Sequence, residues 1–260
     1  MTFRWGLGVI SVLMLGPFGG AAQHAAVQVP VGQSTSLPSG REIIARHVSA
    51  IGGEEAYRSV RSVLARGRWE IPAQRIVGTL ELQSARPNKL LYRVTVPGIG
   101  RIENGYDGSV GWSLSPLSGP ELLIGRRLAE AADEAWFDGT LHLPQHVSEV
   151  TTLGLEMFDN RQAYRVRVVF TSGNEQTEYF DAETGLQIGT ESVRATPQGN
   201  VPTVNILRDY RQFGPLLQAT TFVQRALGFE QIVTITSCEY DTVPPDAFAQ
   251  PAEIKALLMR

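Results

Sequence analysis

The chain has 260 residues, 43% of them hydrophobic and 19% charged, with 23 Lys and Arg against 26 Asp and Glu for a net charge of −3. That mild acidity argues against nucleic acid as a partner and against an electrostatic grip on anionic lipid. The single cysteine, Cys238, excludes an intrachain disulfide; flanked by Ile235, Thr236 and Tyr240, it reads as a small core residue of a late strand.

Met1–Ala22 has the form of a cleaved secretory signal. Arg4 supplies the positive start, Trp5–Leu15 the apolar run, and Gly20-Ala21-Ala22 the small residues before a cleavage site. The run is too short to stay in a bilayer as a spanning helix, and no cysteine stands at the cleavage site to carry a lipid anchor. The expected product is exported and soluble, and loss of Arg4 makes it one unit more negative. The polar, Pro/Gly/Ser-bearing stretch 23–39 reads as a flexible linker. Residues 40–260, about 220 in number, suit one domain, and no shift of composition marks a second boundary.

Gly40–Ile51 predicts a helix. Ile43, Ile44, His47, Val48 and Ile51 share one face, Ser39 can cap the start, and Gly52-Gly53 ends it. A short helical segment, Glu54–Val60, leads into strands predicted at Val63–Ile71, Ile76–Ser84, Lys89–Val96, Arg101–Tyr106 and Val110–Leu114. Their signature is period-two alternation. Val63, Ala65, Gly67, Trp69 and Ile71 make one face of the first strand, while Leu64, Arg66, Arg68 and Glu70 make a mostly charged other face. Pro72, Arg86-Pro87-Asn88, Pro97-Gly98 and Asp107-Gly108 punctuate the turns.

A second strong helix is predicted over Glu121–Asp138, with Ile124, Leu128, Ala132 and Trp136 spaced i, i+4 and Gly139 as the stop. Strands resume at Val150–Phe158, Ala163–Thr171, Gln176–Asp181, Leu186–Val193, Thr203–Phe213, Leu217–Ala226 and Phe229–Cys238. Asp159-Asn160, Ser172-Gly173-Asn174 and Thr184-Gly185 are hairpin turn signals. A short helix, Glu253–Met259, closes the chain. About a dozen strands exceed a comfortable flat sheet, so the expected fold is mainly β (α+β): a curved antiparallel half-barrel of about 10–12 strands with helices covering its concave face.

The order of these pieces resembles the LolA-like proteins, the periplasmic carriers and sorters of outer-membrane lipoproteins. The matching positions are Ala50-Ile51-Gly52-Gly53, Ser62-Val63 with Gly67, Arg86-Pro87-Asn88-Lys89, and Tyr106-Asp107-Gly108 with Trp112. Phe180-Asp181 with Thr184-Gly185-Leu186, and Val243-Pro244-Pro245-Asp246-Ala247-Phe248, complete the set. The resemblance implies a periplasmic half-barrel, lidded by helices, that holds acyl chains between sheet and lid. The chain departs from a minimal carrier in its longer second half and in having one clear internal lid helix.

On this reading Trp69, Leu80, Leu82, Tyr92, Val94 and Trp112 line the concave face, and Leu128 and Trp136 face them from the lid. Apolar walls are what an acyl chain requires. The expected partner is therefore a lipid or lipoprotein acyl chain, with a membrane-associated transport or regulatory protein as the alternative. Arg93 is expected on the opposite, wet face. His142, His146 and Glu149 are the one grouping with metal or acid–base chemistry. Pro144 breaks the helix that would align them, and they read as exposed loop residues. No Gly-x-Ser-x-Gly, phosphate-binding glycine loop or Cys/His pair is present, so neither catalysis nor a metal or cofactor is expected.

Overall fold

A computed structural model describes residues 37–259; the predicted signal segment and most of the predicted linker lie outside the described residues. Helix α1 (Gly40–Ala50) carries a capping box in which Ser39 and Glu42 satisfy each other's backbone N–H groups. Helix α2 (Glu54–Ser59) follows the Gly52-Gly53 stop.

The first half of the sheet is built from β1 (Ser62–Ile71), β2 (Ile76–Ala85), β3 (Lys89–Val96), β4 (Gly100–Tyr106), β5 (Gly111–Ser115) and β6 (Gly119–Leu122). The helix α3 (Gly125–Ala135) comes next. The second half contains β7 (Val147–Phe158), β8 (Arg161–Phe170), β9 (Glu175–Asp181), β10 (Gln187–Thr196), β11 (Gly199–Arg208), β14 (Thr221–Ala226) and β15 (Phe229–Tyr240). Between β11 and β14, a side hairpin of β12 (Arg211–Phe213) and β13 (Leu216–Gln218) leaves the sheet. Helix α4 (Ala252–Leu258) ends the described chain.

All strands but the side hairpin form one 13-stranded antiparallel sheet, ordered β6-β5-β4-β3-β2-β1-β15-β14-β11-β10-β9-β8-β7. The first strand pairs with the last, so the two halves of the chain meet at the middle of the sheet. The edges β6 and β7 do not pair, and the sheet is an open, curved half-barrel.

That topology fixes the place of α3. It is the connection between the two free edges, so it must cross the mouth of the half-barrel. Its 11 residues span about 16 Å, yet Leu128 lies beside Gly111 on β5 while Glu130 accepts the backbone N–H of Ala195 on β10. β5 and β10 are eight strand steps apart, or about 38 Å along the sheet. Only strong curvature towards α3 closes that difference, which identifies the α3-facing side as the concave one. Helix α1 covers the β7–β9 end of the same face, where Ile43 and Ile44 meet Val166, Val168, Phe170 and Phe180.

Three differences from the sequence-based expectations have clear causes. Helix α3 is shorter than Glu121–Asp138. Glu121 and Leu122 instead pair with β5 as β6, leaving Leu122 half-buried beside Trp112, and Ile124 falls outside the helix and is exposed. The predicted strands Thr203–Phe213 and Leu217–Ala226 are each broken. Asp209 takes a left-handed conformation (φ 56°), and the side hairpin carries Leu216 into a core with Ile51, Tyr57 and Val63. Finally, α4 lies on the convex face, against Leu91, Trp112 and Phe248. No helix of the described residues is long and apolar enough to cross a membrane.

Candidate functional site: the concave face and its bridging helix

The alternation of β1–β3 sends Ala65, Trp69, Ile71, Leu80, Leu82, Tyr92, Val94 and Val96 inwards. They form one buried cluster with Leu207, Phe222, Val233 and Ile235 from β11, β14 and β15. Trp69, Leu80, Leu82, Tyr92 and Val94 thus come together on the concave face as the alternation predicts. The Tyr92 hydroxyl, buried there, has no hydrogen-bond partner among the described residues, and burial pushes its ionisation far above the usual phenol range.

Trp112 does not join them. It stands opposite Gly105, which pairs with Leu91, so all three occupy the row adjacent to Leu82–Tyr92–Asn104 and point to the other side of the sheet. Trp112 is fully buried on the convex face, and its indole N–H donates to Glu103 at 3.2 Å. Arg93 shares that face, as expected, and donates to Glu103 at 2.8 Å. From the helix, Leu128 faces the β5 rim. Trp136 caps the C-terminus of α3 and stacks on His146 with ring centroids 3.7 Å apart, outside the apolar cluster.

Between this cluster and the apolar residues under α1 the concave face is polar, a feature the sequence reading missed. A hydrogen-bonded row crosses the sheet from β1 to β10. The Trp69 indole N–H donates to Gln231 (3.2 Å), the Gln231 amide to Gln224 (2.5 Å), Gln224 to Asn205 (3.1 Å) and Asn205 to the Thr190 hydroxyl (3.1 Å). On β9, beside Thr190, Glu178 is wholly buried and accepts from Gln176 (2.7 Å) and Gln187 (3.1 Å). His142 completes this end, with Nε2 2.9 Å from Glu178 and Nδ1 2.8 Å from the Thr140 carbonyl. Both ring nitrogens face oxygen atoms, so the ring is fixed at its two ends. The available signal was the glutamine in an inward slot beside an apolar one: Phe222 then Gln224, Gln231 then Val233.

His142 is therefore buried, not an exposed loop residue, and it stands apart from His146 and Glu149. His146 stacks on Trp136, and Glu149 pairs with Arg167 at 3.2 Å. Cys238 is half-buried, and burial pushes its thiol up.

Helix α3 is held to the far rim by polar contacts. Glu130 accepts from Ala195 at 3.1 Å and pairs with Arg126 at 2.9 Å, Arg194 pairs with Glu134, and Asp133 accepts from Ser172 (2.6 Å) and Asn174 (2.7 Å). Burial pushes the Glu134 carboxyl up to about 7 against the opposing pull of Arg194. Beneath the helix lies a cavity of about 40 Å³ lined by Thr190, Ser192, Asn205 and Leu207. It adjoins an open groove of about 1070 Å³ between α3 and the β8–β9 turn.

An open antiparallel half-barrel with a helix across its mouth has close structural counterparts. A LolA superfamily protein from Nitrosomonas europaea matches over 82% of this chain and 99% of its own, with a TM-score of 0.54 and 12% identity. The chain has the LolA-like fold. A DUF1329 family protein from Desulfovibrio piger matches over 83% of this chain and 97% of its own (TM-score 0.55, 11% identity). A candidate outer membrane lipoprotein-sorting protein domain from Vibrio parahaemolyticus matches over 85% and 98% (TM-score 0.53, 15% identity). At such identities the LolA-like likeness is one of fold. No protein-family model and no curated protein matches the sequence.

Proposed function

We propose that this protein is an exported periplasmic carrier or sensor that binds a lipid or lipoprotein acyl chain between the concave face and α3. On this reading it works by binding and release, without a reaction of its own. The observation that carries the proposal is how α3 is held. Its most buried residues are Glu130 and Ala135, and its ties to the far rim are ion pairs and hydrogen bonds that water can replace. Hydrogen bonds of this kind can be exchanged for bonds to water as the helix lifts, whereas apolar packing has no such replacement. Burying an acyl chain there gains about 0.8 kcal/mol per CH₂, so uptake has ample driving force and the helix governs release.

Leu128→Asp places a carboxylate on the sheet-facing side of α3. It is expected to abolish binding of a fluorescent phospholipid by purified protein, measured as emission change on titration. Unchanged binding by a folded Leu128→Asp protein would remove α3 from the site. Tyr92→Phe removes the buried, unpartnered hydroxyl and is expected to stabilise lipid-extracted protein by about 1 kcal/mol, read as a higher midpoint in urea. A lower midpoint would show that the hydroxyl has a partner in the lipid-free state.

One observation favours a protein partner as the second reading. β7 is a 12-residue edge strand carrying the exposed Leu153, Leu155 and Met157, a surface suited to strand addition by another chain. A Met157→Lys variant with lost partner capture and intact lipid binding would support that role.

A further inference from the structure

The polar row of the concave face runs between two apolar clusters, and the cavity beneath α3 touches both, through Leu207 of one and Phe170 of the other. Leu207 belongs to the apolar cluster and also lines that cavity. Its neighbours there, Asn205, Thr190 and Ser192, retain hydrogen-bonding capacity. Asn205 uses one of its two amide N–H groups on Thr190. The Thr190 and Ser192 hydroxyls donate to no partner among the described residues. Asn205 is buried, and Thr190 and Ser192 are half-buried at the cavity wall; three spare donors along one cavity suit an occupant with oxygen acceptors.

The charges on the opposite wall already have partners. Glu130 is held by Arg126 and Ala195, Glu134 by Arg194, and Asp133 by Ser172 and Asn174. Burying a further net charge beside them would need a counterion that this wall does not offer. A neutral group bearing hydroxyl and ester oxygens fits without one. A volume of about 40 Å³ holds only a few water-sized groups, and the adjoining open groove gives such a head its way in.

We propose that the Thr190–Ser192–Asn205 cavity is the polar-head subsite for an uncharged, hydroxyl-bearing acyl lipid. Its chain then runs from Leu207 over Phe222 and Val233 into the apolar cluster. This rests on the lipid-binding reading above and specifies which lipid class that site selects.

The test is calorimetric titration of the mature full chain with monodecanoylglycerol and with methyl decanoate, which share a chain and an ester and differ in the glycerol hydroxyls. The wild-type protein is expected to prefer monodecanoylglycerol by about tenfold, equivalent to one or two net hydrogen bonds. Asn205→Leu should bring that ratio close to one. Thr190→Val, which keeps the side-chain shape, should reduce it about threefold and serves if Asn205→Leu does not fold. A ratio unchanged in folded variants would overturn the subsite. So would a wild-type protein that binds both lipids equally, though the carrier reading would then stand. Binding of neither lipid by the wild-type protein would overturn both.

Discussion

Replacing Trp112 by alanine is expected to destabilise the protein by about 3–5 kcal/mol and yet leave lipid uptake by the folded protein intact. The indole is fully buried between Leu91, Phe248 and Ile254. It lies so flat on Gly105 that a Cβ there would come within 2.1 Å of it, so neither side can collapse into the space that truncation leaves. Its N–H also helps satisfy Glu103, a carboxylate 1% exposed that would keep only its arginine partners. None of these contacts reaches the concave face. Urea unfolding measures the first half of the expectation, and lipid titration well below the unfolding midpoint measures the second. Lost lipid binding in folded Trp112→Ala protein would mean that the convex core shapes the site.

Glu178→Ala should have an effect of similar size because it removes a shared hydrogen-bond acceptor. The carboxylate is 0% exposed and is the common acceptor for His142, Gln176 and Gln187. Removing the shared acceptor leaves the buried His142 ring and Gln187 amide without a partner there, at a cost of about 1–3 kcal/mol for each. Glu178→Gln retains an acceptor oxygen and should cost clearly less. Equal losses for the two variants would show that the side chain matters for its volume alone, and a negligible loss for Glu178→Ala would contradict the assigned network.

The sheet was legible where its strands have one wet face. Val63–Ile71, Ile76–Ser84 and Lys89–Val96 match β1, β2 and β3 to within a residue, because charge on one side and aliphatic carbon on the other leave one register. Trp112 was misplaced by the same rule. In a strand of five residues after a tight turn, an offset of one reverses both faces, and only its pairing with Gly105 decides the matter. The break at Asp209–Tyr210 was hidden because no Gly or Pro marks it; the pull of Ile51 and Tyr57 on Leu216 is a long-range contact that no local pattern carries. The polar row was hidden for a related reason. A glutamine in an inward slot reads as an edge or a solvent face until the neighbouring strands supply its partners. The apolar half of the site was therefore readable from single strands, whereas the polar half exists only across five paired ones.

Native mass spectrometry of the mature protein, purified under mild conditions from its own cell envelope and paired with lipid extraction, tests the central claim most directly. A stoichiometric acyl lipid or lipoprotein that dissociates from the Leu128→Asp variant is the predicted result. A protein that emerges empty and takes up no added lipid would contradict the carrier reading.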